Sequence, residues 1–121
     1  MPVRFTELVI DCAEPRRVAE WWAQVLGYTV LDATDEGVEI GAADGSKPTL
    51  FFAPVPEGKS VKNRLHIDLN ASAGSSQEAE LRRLQELGAR RVDVGQGEDV
   101  TWIVLADPEG NEFCLLRSTV A

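Results

Sequence analysis

Between residues 4 and 12 the side chains alternate, with Glu7, Val9 and Asp11 on one side and Leu8, Ile10 and Cys12 on the other. That is the period of a strand with one covered face, and it predicts a strand over residues 4–11. From Pro15 the period lengthens. Val18, Trp21 or Trp22, and Val25 recur at helical spacing, Pro15 suits the first helical turn, and Gly27 supplies a left-handed stop. A helix is therefore expected over residues 15–26. Adjacent helical positions point about 100° apart, so one of Trp21 and Trp22 belongs in the core and the other at an edge. Three short strands follow, centred on residues 29–31, 38–40 and 50–52, parted by Asp, Gly and Pro turn residues, and a loop occupies residues 54–63.

The order then repeats. A strand is expected over residues 64–70, a helix opened by the capping sequence Ser75-Ser76-Gln77-Glu78 and carrying Leu81, Leu84 and Leu87, and strands near residues 91–94, 101–105 and 112–116. The helix ends match as well, Val25-Leu26-Gly27 against Glu86-Leu87-Gly88, so the chain is a tandem structural repeat with units at residues 4–55 and 63–118. Each unit reads βαβββ. Two such units bury their apolar faces by placing curved sheets side by side with helices outside. The expected fold is α+β, a curved eight-stranded mixed sheet around a cleft, within a single domain of residues 1–121.

Alternation assigns faces in the second unit. His66 shares a side with Asp68 and Asn70, while Ile67 and Leu69 face the helix. The last hairpin runs from Trp102-Ile103-Val104-Leu105 through Asp107-Pro108-Glu109-Gly110-Asn111 to a strand on which Glu112, Cys114 and Leu116 share one face, with Phe113 and Leu115 on the other. Cys114 is the odd residue there, a thiol that serves either as core filler or as a ligand.

Composition narrows the functional classes. A chain of 121 residues with 44% hydrophobic content is long enough for one core and too short for a second. Twenty acidic against twelve basic side chains, a net charge of −8, argue against a nucleic-acid surface and suit neutral or cationic small molecules. No charged-then-apolar leader and no apolar run of about 18 residues is present, so a soluble, cytoplasmic protein without a membrane partner is expected. Cys12 and Cys114 show no zinc-knuckle spacing and face opposite sides of the sheet, so they are expected to remain reduced and unpaired.

Glu7-Leu8-Val9-Ile10-Asp11, Trp21-Trp22 with Leu26-Gly27-Tyr28, Leu65-His66-Ile67-Asp68-Leu69 and the DPEGN turn occur here in an order and spacing that resemble the glyoxalase, bleomycin-resistance and extradiol-dioxygenase group. This group is also called the vicinal oxygen chelate superfamily, and the resemblance spans nearly the whole chain. It is greatest to the small glyoxalase-like proteins of unassigned activity. The resemblance implies metal ligands at inward-facing positions on the first and last strand of each repeat, which fall on Glu7, Leu50, His66 and Cys114. Leu50 breaks that pattern, and Cys114 stands where a family enzyme usually carries Glu. Two readings follow. In one, Glu7, His66 and Cys114 hold a divalent metal, with Zn favoured, and Glu7 or His66 moves a proton. In the other, Glu7 and His66 hydrogen-bond across the cleft and Cys114 is a small buried hydrophobe. The resemblance implies either a metal-dependent lyase, isomerase or dioxygenase, or a metal-free protein that sequesters a cationic compound, and in both cases a homodimer.

The expected small-molecule cleft is lined by Glu7, Asp11, Leu50, Phe52, His66, Asp68 and Cys114, with Trp102 available to stack on a planar ligand. Asp11 equally serves to end its strand. Lys59, Lys62 and Arg64 are expected in a solvated loop. No glycine-rich phosphate loop or nucleophile elbow appears.

Overall fold

The structure is a computed structural model that describes residues 2–97 and 99–121. It divides into two compact units, residues 1–58 and 59–121. In the first, β1 (Glu7–Cys12) leads into α1 (Pro15–Leu26), followed by β2 (Thr29–Thr34), β3 (Gly37–Gly41) and β4 (Thr49–Pro54). The second contains β5 (Asp68–Ser72), α2 (Gln77–Glu86), β6 (Arg90–Arg91), β7 (Ile103–Ala106) and β8 (Glu112–Val120). The eight strands divide into two four-stranded mixed sheets, ordered β1-β4-β3-β2 and β5-β8-β7-β6. In each, the first strand runs parallel to the last and the remaining pairs are antiparallel. The repeated α+β, βαβββ pattern is thus observed in both halves. No described helix is long and apolar enough to cross a membrane.

α1 has the predicted bounds. Pro15 opens it, and Gly27 closes it at φ 68, where its conformation lets Tyr28 donate its N–H to the Ala23 carbonyl at 2.9 Å. Trp21 and Trp22 are both buried, their rings packed edge to face at 5.2 Å between centroids, which corrects the expectation of one edge residue. Large rings on neighbouring positions can reach the same core although their Cα–Cβ vectors diverge. The cap of α2 is Ser76, whose Oγ accepts the Ala79 N–H at 3.1 Å.

Register corrects the lining expected for the first unit. β1 and β4 pair Glu7 with Thr49 and Leu8 with Leu50, so Leu50 and Phe52 lie on the covered side with Leu8, Ile10 and Cys12. Both are buried core residues, matched on β3 by Ile40 and Val38. The other face of this unit carries the exposed Glu7, Val9 and Asp11 on β1 and, on β4, Phe51 and the buried Thr49, whose Oγ1 donates to Glu39 Oε2 at 2.7 Å. A shift of one residue exchanges the two faces of a strand, and Leu50-Phe51-Phe52 is apolar on both, so alternation alone leaves this strand's phase undetermined. Gly37, at φ 147, fits where any Cβ would run into the Phe51 ring and approach the Phe52 carbonyl oxygen to 2.5 Å.

Candidate functional site

The second unit contains a cavity of about 430 Å³. Parallel pairing of β5 with β8 sets Asp68 beside Cys114, and antiparallel pairing of β7 with β8 sets Val104 on the other side of Cys114. These three form one row across the open face. β5 begins at Asp68, four residues later than the sequence predicts, so His66 stands on the approach to the strand. The Cys114 N–H still reaches the Ile67 carbonyl at 2.9 Å, holding the approach against β8 and keeping His66 and Asp68 on one side of it.

Asp68 is the hub of the cluster. His66 Nδ1 lies 3.0 Å from Asp68 Oδ1, with both side chains about half exposed. Cys114 is only 6% exposed. Burial, the Asp68 charge and a hydrogen bond with Asp68 push its thiol above the ordinary range, against an opposing effect of Lys62. One ligand atom from each of His66, Asp68 and Cys114 lies within 4.8 Å of the others. Imidazole, carboxylate and thiol at that separation could hold a single metal ion.

The far wall rests on a second charged pair. Glu112 Oε2 meets Lys59 Nζ at 2.6 Å, and Oε1 accepts the Asn63 N–H at 2.7 Å. Burial works to raise the Glu112 carboxyl, but the Lys59 and Asn63 hydrogen bonds and the Lys59 and Lys62 charges outweigh it and hold it below its usual value. Lys59 also donates to the Val61 carbonyl. These bonds fold residues 59–63 against the cavity, where Lys62 and Asn63 join its wall. The hairpin before Glu112 is fixed by the buried Asp107, whose Oδ1 accepts the Glu109 and Asn111 N–H groups, each at 2.9 Å. Gly110, at φ 88, completes the turn, which explains the spacing of Asp, Gly and Asn in DPEGN.

A glyoxalase-like domain model matches residues 7–116. The chain belongs to that family. Among solved structures it is similar to the fosfomycin resistance protein FosX of Mesorhizobium loti, at 14% identity and a TM-score of 0.72, covering 98% of this chain and 94% of that one. It is also similar to a mutant FosX of Listeria monocytogenes complexed with Mn(II) and 1S,2S-dihydroxypropylphosphonic acid, at 11% identity and TM-score 0.73, covering 98% and 93%. The trypanothione-dependent glyoxalase I of Leishmania major aligns at 16% identity and TM-score 0.69, covering 96% and 87%. At these identities the likeness is one of fold. No functionally curated protein matches the chain in sequence.

In this glyoxalase-like chain, His66, Asp68, Trp102 and Cys114 come together at one cavity. Glu7 and Asp11 stand exposed on the open face of β1 in the first unit, and Leu50 and Phe52 are core residues there. Trp102 lies just before β7, 40% exposed on the cavity wall. Sequence reasoning missed Lys62, Asn63 and Gln96 as lining residues. Gln96 is positioned by its own loop, its Oε1 accepting the Val94 N–H at 2.8 Å. The cluster of Lys59, Lys62 and Arg64 was visible as a run of cations, but its contact with Glu112 arises from a pairing 53 positions apart in the chain.

Proposed function

We propose that this glyoxalase-like chain binds a small organic molecule in the cavity of its second unit and activates it with a divalent metal held by His66, Asp68 and Cys114. The observation that carries the reading is the convergence of three chemically different ligand atoms within 4.8 Å on the wall of a cavity large enough for such a molecule. When bound, the metal supplies a Lewis acid for a substrate oxygen. Zinc is favoured by the thiol and imidazole together, and because zinc carries no redox step, isomerase or lyase chemistry suits the donors better than oxygen chemistry.

The chain's own residues do the rest of the work. Trp102 presents a partly exposed indole face to a planar group, and Val104 and Leu116 keep the adjoining wall apolar. The side-chain amide of Asn63 gives polar contacts that orient the bound molecule. Asp68 fixes the His66 ring through the contact at Nδ1, which keeps imidazole and carboxylate together on one wall for the ion or for a substrate proton.

The test is elemental analysis of protein purified without added metal, followed by zinc titration against a chromophoric chelator. About one zinc per chain is expected, with affinity lowered at least about tenfold in His66→Ala and in Cys114→Ala. A wild-type chain that takes up no zinc at micromolar free metal overturns the reading. Glu7→Gln measures any contribution from the first unit, since an unchanged affinity limits the donors to the three named.

A further inference from the structure

Building on that cavity as the ligand site, we infer that its ligand is a planar, largely apolar molecule bearing an anionic group, which Lys62 recognises. The charged groups on the wall are Lys62, Asp68 and Glu112, with His66 beside Asp68. Of the two acids, Glu112 is already paired with a cation. Glu112 is held by Lys59 at 2.6 Å and by the Asn63 N–H at 2.7 Å, with both side chains of the ion pair less than a fifth exposed. Asp68 keeps its charge and has the His66 ring nitrogen Nδ1 at 3.0 Å as a hydrogen-bond partner. Lys62 forms no ion pair among the described residues. It lines the same cavity as Glu112 and Cys114.

Lys62 is therefore the cation of this wall that has no acidic partner, although the chain as a whole carries −8. Local charge decides selectivity here. Distant surface carboxylates are screened over roughly a Debye length of about 8 Å, whereas an ammonium beside a desolvated ligand is not. The remaining surface sets the shape of the ligand. Trp102 offers a ring face, and Val94, Val104 and Leu116 continue an apolar wall from it. A one- or two-ring body fits against that wall with its anionic substituent toward Lys62.

The probes are three compounds of one shape: naphthoate, naphthamide and naphthylmethylammonium. Binding is measured by titration calorimetry and by ¹H–¹⁵N shifts of the Trp102 indole and the residue 94–96 amides. The protein is used both as purified and after chelator treatment with its metal content checked. In chelator-treated protein naphthoate is expected to bind at least about tenfold more tightly than naphthamide, and the ammonium compound more weakly than either. Lys62→Met, an exposed change that leaves the fold intact, should abolish the naphthoate advantage while naphthamide affinity stays within about twofold. Equal or tighter binding of the neutral or cationic probe overturns the inference. So does a naphthoate preference that survives Lys62→Met, or the absence of shifts at the cavity with all three probes. Because the comparison is made without metal, a chain that never binds zinc yet prefers naphthoate through Lys62 removes the metal proposal and leaves this one standing.

Discussion

Replacing Lys59 with Met keeps most of the side chain's volume and removes the charge that holds Glu112. The pair is short, 2.6 Å, and its side chains are 17% and 12% exposed, so solvent screens it weakly. A charge-assisted hydrogen bond contributes about 1.5–3 kcal/mol, and stranding one member of a fully buried pair costs about 3–5 kcal/mol. Glu112 keeps the Asn63 N–H at 2.7 Å and gains some water when Lys59 is lost, which places the expected cost near the lower range, about 2 kcal/mol. Glu112→Gln in the same background removes the stranded charge and should restore roughly 1.5 kcal/mol, a coupling that a double-mutant cycle reads directly. The assay is urea denaturation together with hydrogen exchange resolved by mass spectrometry, and the loss should fall in the second unit, on peptides covering β7 and β8. In the surviving fold, the freed carboxylate should also weaken naphthoate binding relative to the ammonium probe. A cost under about 0.5 kcal/mol, or additive single mutants, would refute the claim that this pair anchors residues 59–63.

Three further outcomes follow from the same geometry. Glu112 has a folded-state pKa below its unfolded value, so it adds stability that is fully present above the ordinary glutamate range and is lost as pH falls through the folded value; in acid titration of stability, the wild type should lose more than Lys59→Met between about pH 5 and 3. Burial, Asp68 and its hydrogen bond keep Cys114 a thiol, so in metal-free protein its alkylation by iodoacetamide at pH 8 should be at least about tenfold slower than that of free cysteine, as followed by mass spectrometry. Leu50→Ala should cost about 2–5 kcal/mol in urea melts and leave naphthoate affinity in the second unit unchanged, whereas a cost below about 1 kcal/mol would argue against its place under α1.

The repeat, the bounds of α1 and the faces of β1 and β8 were legible in the sequence because each depends on local order. Pro15 and Gly27 delimit a helix by backbone conformation, Glu7 to Cys12 alternate in exposure, and Glu112 at the start of β8 sets the phase that puts Cys114 and Leu116 on its side, at the cavity. β4 was not legible in that way, since Leu50, Phe51 and Phe52 satisfy either phase until pairing with β1 selects one. Likewise, His66 and Asp68 share a face by spacing alone, yet Cys114 joins them only through the parallel pairing of β5 with β8, across 46 positions. The net charge of −8 suited neutral or cationic ligands, but composition sums charges without regard to position. Only tertiary structure pairs Glu112 with Lys59 and sets Lys62 and Asp68 on one wall, because the energy of a charge depends on its neighbours within a few ångströms and on how much water remains between them.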